Sequence, residues 1–258
     1  MVVVVAVTMW TGCAARRPLG PVAPAALPAA AELQAVLAQR REAVRSLRAL
    51  AHIHYRAPEE SNSSRDAIIA ARPDRLRVEV LSLFGSVFVL AADEGLLTAY
   101  ARQENTVYRG HASPENLWRY VRLTLPVNVL VDIILGTPPP QPAAGGQVSF
   151  DPASGSIRLR EEMAQGVRVV WFSPAQLPLG TEAQGVDGRT QWRATFGGYE
   201  DRAGVALATH IALEVPEWQR SLEIALEDID LNPQLDPAVF AVQIPPGCKV
   251  VDLDQVAE

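Results

Sequence analysis

Cysteine and histidine are scarce in this chain. Its 258 residues include only two cysteines, Cys13 and Cys248, and four histidines. Two cysteines can form at most one disulfide, which excludes a disulfide scaffold and any metal site built from several thiolates. Cys248 lies in a Pro-Pro-Gly-Cys-Lys segment near the end of the chain, and we interpret it as a packed structural thiol.

An excess of positive charge and the common catalytic motifs are also missing. The net charge is −6 at pH 7, and no basic patch is interleaved with aromatic residues, so no nucleic-acid partner is expected. The sequence contains no G-x-S-x-G nucleophile elbow, no phosphate-binding glycine loop and no H-E-x-x-H zinc motif. It therefore predicts no enzyme, no cofactor and no bound metal.

Two pairs of polar residues leave alternatives open. His52 and His54 lie two residues apart on a predicted strand and therefore on one face, and so do Asp228 and Asp230. The histidines could chelate a metal, and the aspartates could serve acid–base chemistry or bind calcium. A solvated strand face explains both pairs more simply, and we favour that interpretation.

The N-terminal apolar run is too short to cross a membrane. Residues 2–9 are uncharged, and a transmembrane helix needs roughly 20 such residues. The small pair Thr11-Gly12 follows directly before Cys13, an order that resembles a bacterial lipoprotein signal. That resemblance implies removal of residues 1–12 and acylation of Cys13. The alternative is a buried N-terminal strand that contains an ordinary cysteine.

Two details depart from the usual signal. Trp10 stands three residues before the cysteine, where an aliphatic residue is usual, and no Lys or Arg precedes the apolar run. Residues 13–30 then form a Pro- and Ala-rich segment that predicts an extended tether. Ala14 takes the position where Asp favours inner-membrane retention, so the resemblance implies an outer-membrane anchor with the domain facing the periplasm.

Residues 31–258 are predicted to form one domain that is mainly β with helices. Apolar residues at helical spacing predict an amphipathic helix over 31–45, and from Ser46 the hydrophobic period changes to two. We expect about ten or eleven antiparallel strands, with loops at Pro58–Ser64 and Phe172–Val186. A meander of this length should curl into an incomplete antiparallel β-barrel.

A helical insertion interrupts the strands at about 114–135. Ser113-Pro114-Glu115 is a strong helix start, and Pro126 and Gly136 bound a second, almost uncharged helix. A helix that is apolar on nearly all sides is normally buried. The insertion could therefore be a lid or plug over an apolar cavity, or a helix packed permanently in a core. The candidate lid and cavity residues are Leu117, Trp118, Val121, Leu125, Val127, Leu130, Ile133 and Ile134.

Four stretches of the chain resemble the LolA/LolB superfamily, particularly its LolB-like outer-membrane lipoproteins. Together they cover roughly residues 46–230 in the order that the family shows. They are Leu81-Ser-Leu-Phe-Gly-Ser86, the segment 125–136 with its Ile-Ile-Leu-Gly end, Gln191-Trp-Arg-Ala-Thr-Phe-Gly-Gly-Tyr199, and Leu222-Glu-Ile-Ala-Leu-Glu-Asp-Ile229.

This resemblance implies an incomplete barrel with a helical lid, whose interior takes lipoprotein acyl chains. It also implies a membrane-inserting loop at Leu83, Phe84 and Gly85. Phe84 stands where the family exposes a leucine, and Leu83 replaces the family's proline. From the residues alone, Phe84 could equally fold back into the core. Residues 232–258 form a C-terminal extension that looks more like related LolA-like lipoproteins of undefined role.

The leading functional hypothesis is a monomeric lipoprotein that receives acylated lipoproteins and passes them into the outer-membrane bilayer. A periplasmic LolA-like carrier is the implied delivering partner. A structural or assembly lipoprotein that binds an envelope protein is the second hypothesis, and a carrier of another lipid is the third. An aliphatic cavity sized for an acyl chain favours the first hypothesis, and a filled interior favours the second.

Overall fold

The computed structural model describes residues 24–121, 124–141 and 145–255. The predicted signal at 1–12, Cys13 and most of the tether lie outside the described residues. None of the helices in the described ranges is long and apolar enough to cross a membrane.

The first half of the domain is a helix followed by a six-stranded meander. Hydrophobic and polar residues alternate along its first strand, so Leu47, Ala49 and Ala51 are buried on one face. The elements are α1 (Ala30–Ala43), β1 (Ser46–Ala57), β2 (Glu60–Ala71), β3 (Arg75–Ser82), β4 (Gly85–Asp93), β5 (Leu96–Ala101) and β6 (Thr106–His111).

Two helices follow where the sequence predicts them, α2 (Pro114–Val121) and α3 (Val127–Ile134). The hydroxyl of Ser113 accepts a hydrogen bond of 3.2 Å from the backbone N–H of Asn116, as an N-cap residue should. Pro126 directly precedes α3 in an extended conformation. Both predicted helix starts are confirmed.

The second half of the chain consists mainly of strands, several of them short. The elements are β7 (Gln147–Asp151), β8 (Ser156–Met163), β9 (Gly166–Phe172), β10 (Pro178–Gln184), β11 (Thr190–Gly197), β12 (Glu200–Arg202), β13 (Val205–Leu207), β14 (His210–Val215), β15 (Arg220–Leu231) and β16 (Lys249–Asp252). Short 3₁₀ turns lie at Pro216–Trp218 and Pro237–Phe240.

Within the described residues, fourteen strands form one sheet in the order β16-β6-β5-β4-β3-β2-β1-β15-β14-β11-β10-β9-β8-β7. The last long strand, β15, pairs with β1 and so joins the two halves of the chain. All pairings are antiparallel except that of β16 with β6. No pairing among the described residues joins β16 to β7, so the barrel is open. The predicted fold class, an incomplete antiparallel β-barrel with helices, is confirmed.

Two groups of buried side chains hold the domain together. The larger group lies on the concave side of the sheet, between β1–β5, β14, β15 and the inserted helices. The smaller group lies at the other end of the sheet, where Leu33 of α1 packs with Leu159, Val170 and Phe172. The N-terminal helix therefore covers β7–β9, and α2 and α3 cover the remainder of the concave face.

Several strands are missed by the sequence pattern. The predicted loop at Phe172–Val186 contains β10, which lies between β9 and β11 and buries the polar Thr181 and Glu182. Glu182 is buried because it accepts two hydrogen bonds from Arg193 of β11. The predicted loop at Pro58–Ser64 is also wrong, because β2 begins at Glu60. Strand β10 escapes detection because its buried positions are polar or small, and the start of β2 escapes it because residues 60–63 are polar and exposed.

The C-terminal extension adds a strand to the domain. Strand β16 continues the sheet beyond β6, and the next residue, Leu253, is buried. Gly110 makes this close approach possible, since a Cβ atom there would lie 2.7 Å from the Cβ of Leu253. The extension is therefore a part of the sheet edge, which the sequence pattern did not indicate.

Candidate functional site

An apolar cavity lies between the concave face of the sheet and the inserted helices. Its volume is about 460 Å³, within the range of roughly 300–1,000 Å³ that is typical of small-molecule sites. The side chains come from alternate, inward-facing positions of the six neighbouring strands β4-β3-β2-β1-β15-β14 and from one side of α3. The apolar ones are Ile53, Ile68, Leu76, Val78, Val80, Phe88, Leu90, Leu130, Ile133, Ile134, Leu213, Leu222 and Ile224.

One end of this cavity is polar, and we call it the mouth. It is formed by Tyr55 and Glu60 near the turn between β1 and β2, by Asn62 on β2, and by Arg119 and Tyr120 on α2. Glu60 and Asn62 are exposed to solvent. A cavity with apolar walls and one polar opening suits an amphiphile, whose tail lies inside while its polar group stays in water.

A buried carboxylate, that of Asp66, lies next to Ser64 of the cavity wall. Asp66 lies on the same face of β2 as Ile68. It accepts a hydrogen bond of 2.6 Å from the hydroxyl of Ser64, which lines the cavity. Burial raises the pKa of Asp66, and the bond from Ser64 opposes this shift. The neutral acid is thus favoured relative to an exposed aspartate, which limits the charge beside an apolar space.

Helix α3 forms a wall of the cavity, and ion pairs hold the side of the helix that faces away from it. Leu130, Ile133 and Ile134 face the cavity, while the fully buried Asp132 forms ion pairs with Arg41 of α1 and with Arg72 after β2. The Nε of Arg72 lies 2.9 Å from a carboxylate oxygen of Asp132. One side of α3 therefore borders the cavity, and the other side is held to the domain by ion pairs. The helix thus shares features of both alternatives left by the sequence, a lid over a cavity and a helix packed in a core.

Burial shifts the pKa values of this ion-pair cluster. Desolvation lowers the pKa of Arg72 to about 10, and the attraction of Asp132 opposes the shift. Arg72 also donates hydrogen bonds to the backbone carbonyl of Val44 and to the hydroxyl of Thr137. Desolvation also raises the pKa of Asp132, and the attraction of Arg72 and then of Arg41 opposes this shift.

Helix α2 is held at the mouth mainly by aromatic contacts. The rings of Trp118 and Trp218 meet edge to face with centroids 4.9 Å apart, and the guanidinium of Arg220 lies 4.3 Å from the centroid of Trp118. Arg220 also donates a hydrogen bond of 3.1 Å to the hydroxyl of Tyr55. These contacts hold α2 beside the mouth and place Trp118 against the turn between β14 and β15.

The predicted lid residues separate into three groups. Leu130, Ile133 and Ile134 line the cavity, and Leu117, Leu125 and Val127 are buried in the adjoining core without lining it. Trp118 faces an outer groove together with Trp218 rather than the cavity. Val121 lies in α2, and its side chain is outside the described part of the structure. The sequence did not indicate Tyr55, Trp218 or Arg220, which come from distant segments.

The loop expected to touch the membrane is fully presented to solvent. Leu83 is 97% exposed and Phe84 is 89% exposed, at the two-residue turn between β3 and β4. The next residue, Gly85, has a φ of 101°, which L side chains rarely adopt. The backbone carbonyl of Phe84 accepts a hydrogen bond from Arg102, so the turn holds both side chains outward.

Neither polar pair forms a metal site in the described residues. No group of three or more His, Cys, Asp or Glu side chains there could hold a metal ion. The Nε2 atom of His52 lies 3.5 Å from a carboxylate oxygen of Glu227. The Nδ1 atom of His54 shares a hydrogen bond of 2.7 Å with the hydroxyl of Ser63. Asp228 has a φ of 48° at an irregularity of β15, which breaks the alternation expected between it and Asp230.

The C-terminal extension secures the start of α2. Asp254 accepts hydrogen bonds from the backbone N–H of His111 and from the side chains of Asn116 and His111. These hydrogen bonds hold the pKa of Asp254 below its ordinary value. The bond from the backbone N–H of His111 has the largest effect. The folded-state pKa of Asp254 lies below the unfolded value, so the ionised carboxylate stabilises the folded protein. This stabilisation is complete above the ordinary carboxyl range and is lost as the pH falls through the lowered pKa.

We expect Asp254→Ala to loosen the start of α2 without unfolding the domain. Amide hydrogen exchange over residues 114–121 should become faster by roughly threefold or more, because the variant removes local contacts only. Asp228→Asn, at an exposed position on β15, is the matched control and should leave this segment unchanged. Equal exchange in both variants would show that Asp254 does not secure the helix.

Comparison with known proteins supports the fold although no sequence match is found. No protein-family profile and no curated protein sequence matches the chain. A domain named for outer membrane lipoprotein sorting, from Vibrio parahaemolyticus, superposes with a TM-score of 0.57 at 14% identity, covering 81% of this chain and 94% of that one. A LolA superfamily protein from Nitrosomonas europaea gives a TM-score of 0.56 at 12% identity, covering 84% and 99%.

A DUF1329 family protein from Desulfovibrio piger is similar to the same extent, with a TM-score of 0.57 at 12% identity over 82% of this chain and 95% of that one. The predicted LolA/LolB-like fold is therefore confirmed. At such low identity the likeness concerns the fold alone, since one fold can serve several functions.

Proposed function

We propose that this protein binds acyl chains in the cavity beneath α2 and α3, receives acylated lipoproteins and inserts them into the outer membrane. The observation that carries the proposal is an open volume of about 460 Å³ walled by aliphatic side chains. A filled interior would have favoured a protein-binding role. The polar mouth supports the same proposal, because the peptide part of a lipoprotein must remain outside.

Transfer of this kind needs no covalent chemistry. An acyl chain gains roughly 0.8 kcal/mol per methylene on leaving water, and it moves here between two apolar environments. The net free energy of transfer is therefore small, and the opening of the lid and contact with the bilayer control the rate. The delivering partner in this proposal is a periplasmic LolA-like carrier, and the protein acts as a monomer.

The proposal is tested by direct binding of three ligands to the full-length Cys13→Ala protein. A dansyl-labelled fatty acid reports occupancy of the cavity, and a synthetic triacylated lipopeptide and a diacyl phospholipid compete with it. Displacement by the lipopeptide at lower concentration than by the phospholipid supports lipoprotein binding. Stronger displacement by the phospholipid indicates a carrier of another lipid, and the absence of probe binding contradicts the proposal.

The membrane anchor belongs to the same proposal. We propose that residues 1–12 are a signal peptide, that Cys13 carries the acyl chains, and that residues 13–30 tether the domain, residues 31–258, to the outer membrane. We expect Cys13→Ala to move the protein from the membrane pellet to the soluble fraction, because one residue supplies the whole anchor. Cys248→Ala is the matched control and should stay in the pellet. Retention of Cys13→Ala in the pellet would contradict the anchor.

The exposed loop is proposed to insert into the bilayer during transfer. We expect Phe84→Glu to leave folding and fatty-acid binding intact, because the side chain is 89% exposed and makes no core contact. Transfer of a fluorescent lipopeptide to liposomes should slow by about tenfold, since a charge replaces an apolar side chain at the membrane contact. Phe84→Leu should transfer at the normal rate. Equal rates for the Glu and Leu variants would exclude an apolar membrane contact at this position.

A further inference from the structure

The turns that connect the strands lie at the two opposite ends of the strands. We call each of these two rims of turns an edge of the curled sheet. Because neighbouring strands are antiparallel from β7 through to β6, the strands β1, β3, β5, β8, β10 and β14 all run in one direction. The connections that follow these six strands therefore lie at one edge of the curled sheet. The connections after β2, β4, β7, β9 and β11 lie at the opposite edge.

The first of these edges is the one at which the cavity opens. The mouth residues Tyr55 and Glu60 flank the turn between β1 and β2. Glu60 also lines an outer groove with Trp118, Trp218 and Arg220, so the turn between β14 and β15 reaches the same opening. We call this side of the sheet the mouth edge.

The mouth edge carries the most exposed large apolar side chains in the described residues. Leu83 is 97% exposed, Phe84 89% and Val186 88%, and Trp218 adds a ring that is 38% exposed. They belong to three separate turns, β3–β4, β10–β11 and β14–β15. Isolated apolar residues on a surface are ordinary, but their gathering on one edge points to an apolar partner.

We infer that the whole mouth edge docks on a lipid bilayer, with Val186 and Trp218 as membrane contacts beyond the Leu83–Phe84 loop. Docking of three turns fixes the orientation of the domain, so that the mouth of the cavity faces the lipid directly. The inference deepens the proposed function by naming the surface through which the ligand passes. It also assigns Trp218 two contacts, with the bilayer and with Trp118 of the lid.

A bilayer fits this edge better than a protein partner does. The apolar side chains are separated by charged ones of both signs, among them Glu59, Arg102, Asp187 and Arg189. A stable protein interface needs a continuous, complementary area. A membrane interface instead accepts single apolar side chains between hydrated head groups, and tryptophan is favoured at that depth.

The test is vesicle flotation of full-length Cys13→Ala protein with phosphatidylethanolamine and phosphatidylglycerol in equal amounts. The variants are Val186→Asp and Trp218→Ala, compared with their parent. Each should reduce vesicle affinity by about fivefold or more, as expected when one partly inserted apolar side chain is lost. In the parent, brominated lipid should quench tryptophan fluorescence, and Trp218→Phe should reduce this quenching.

Leu96→Asp provides the matched control. Leu96 is 62% exposed but follows the turn between β4 and β5, at the opposite edge, so this variant should float like the parent. Vesicle binding of Val186→Asp and Trp218→Ala equal to that of the parent would overturn the inference, as would an equal loss in Leu96→Asp. Fatty-acid binding without vesicles is measured in parallel. If that binding is absent while docking persists, the proposed function fails and the docking surface stands.

Discussion

Replacing Val78 by tryptophan should abolish most acyl-chain binding while the domain remains folded. Val78 lies on the concave face of β3, between Ile68 of β2 and Leu90 of β4, and lines the cavity. An indole at this position occupies space that the ligand needs. Excluding about three methylenes would cost roughly 2–2.5 kcal/mol, which lowers affinity by about 30- to 60-fold. Titration of the full-length Cys13→Ala protein with the dansyl-labelled fatty acid measures this change.

The matched control is Ser61→Trp. Ser61 lies on β2 with its side chain exposed on the opposite face of the sheet, so the same added ring leaves the cavity unchanged. Far-ultraviolet circular dichroism and the thermal midpoint establish that both variants fold. An unchanged affinity in folded Val78→Trp would mean that acyl chains bind elsewhere. A second variant at the inner face, Leu213→Trp on β14, tests the opposite wall in the same way.

Local signals in the sequence were sufficient for much of the fold. The change of hydrophobic period at Ser46 marks the start of the strands, and Ser113-Pro114-Glu115 marks the start of α2. Both signals depend on neighbouring residues only, and the structure confirms both. Strand β10 was not predictable in this way. Its buried Glu182 is stabilised by Arg193 of the next strand, and alternation alone cannot indicate that partner.

The candidate site was predictable in part for the same reason. An apolar helix around 127–134 indicated a buried wall, and three of its residues line the cavity. The mouth is different, because the hydrogen bond between Tyr55 and Arg220 joins residues 165 positions apart. Asp132 is the single charged residue of this helix, and the sequence pattern did not indicate its partners. The folded chain shows that Arg41 and Arg72 are those partners.

We expect Asp132→Asn to destabilise the domain strongly. The variant leaves the side chains of Arg41 and Arg72 facing a neutral amide inside the fold, and Arg72 is nearly buried. Removing one partner of a buried ion pair typically costs about 3–5 kcal/mol, because the remaining charge has lost its compensation. The free energy of unfolding of the Cys13→Ala protein should therefore fall by about 3 kcal/mol or more in urea denaturation.

A comparison with Asp228→Asn separates this effect from the loss of a surface charge. Asp228 is exposed, and asparagine tolerates its positive φ, so the control should change stability by about 0.5 kcal/mol or less. A similarly small change in Asp132→Asn would mean that the ion pairs do not fix α3. The whole insertion, rather than α2 alone, would then be free to open. A large loss instead supports the proposal that only α2 opens, because its ring contact between Trp118 and Trp218 lies at the edge that docks on the bilayer.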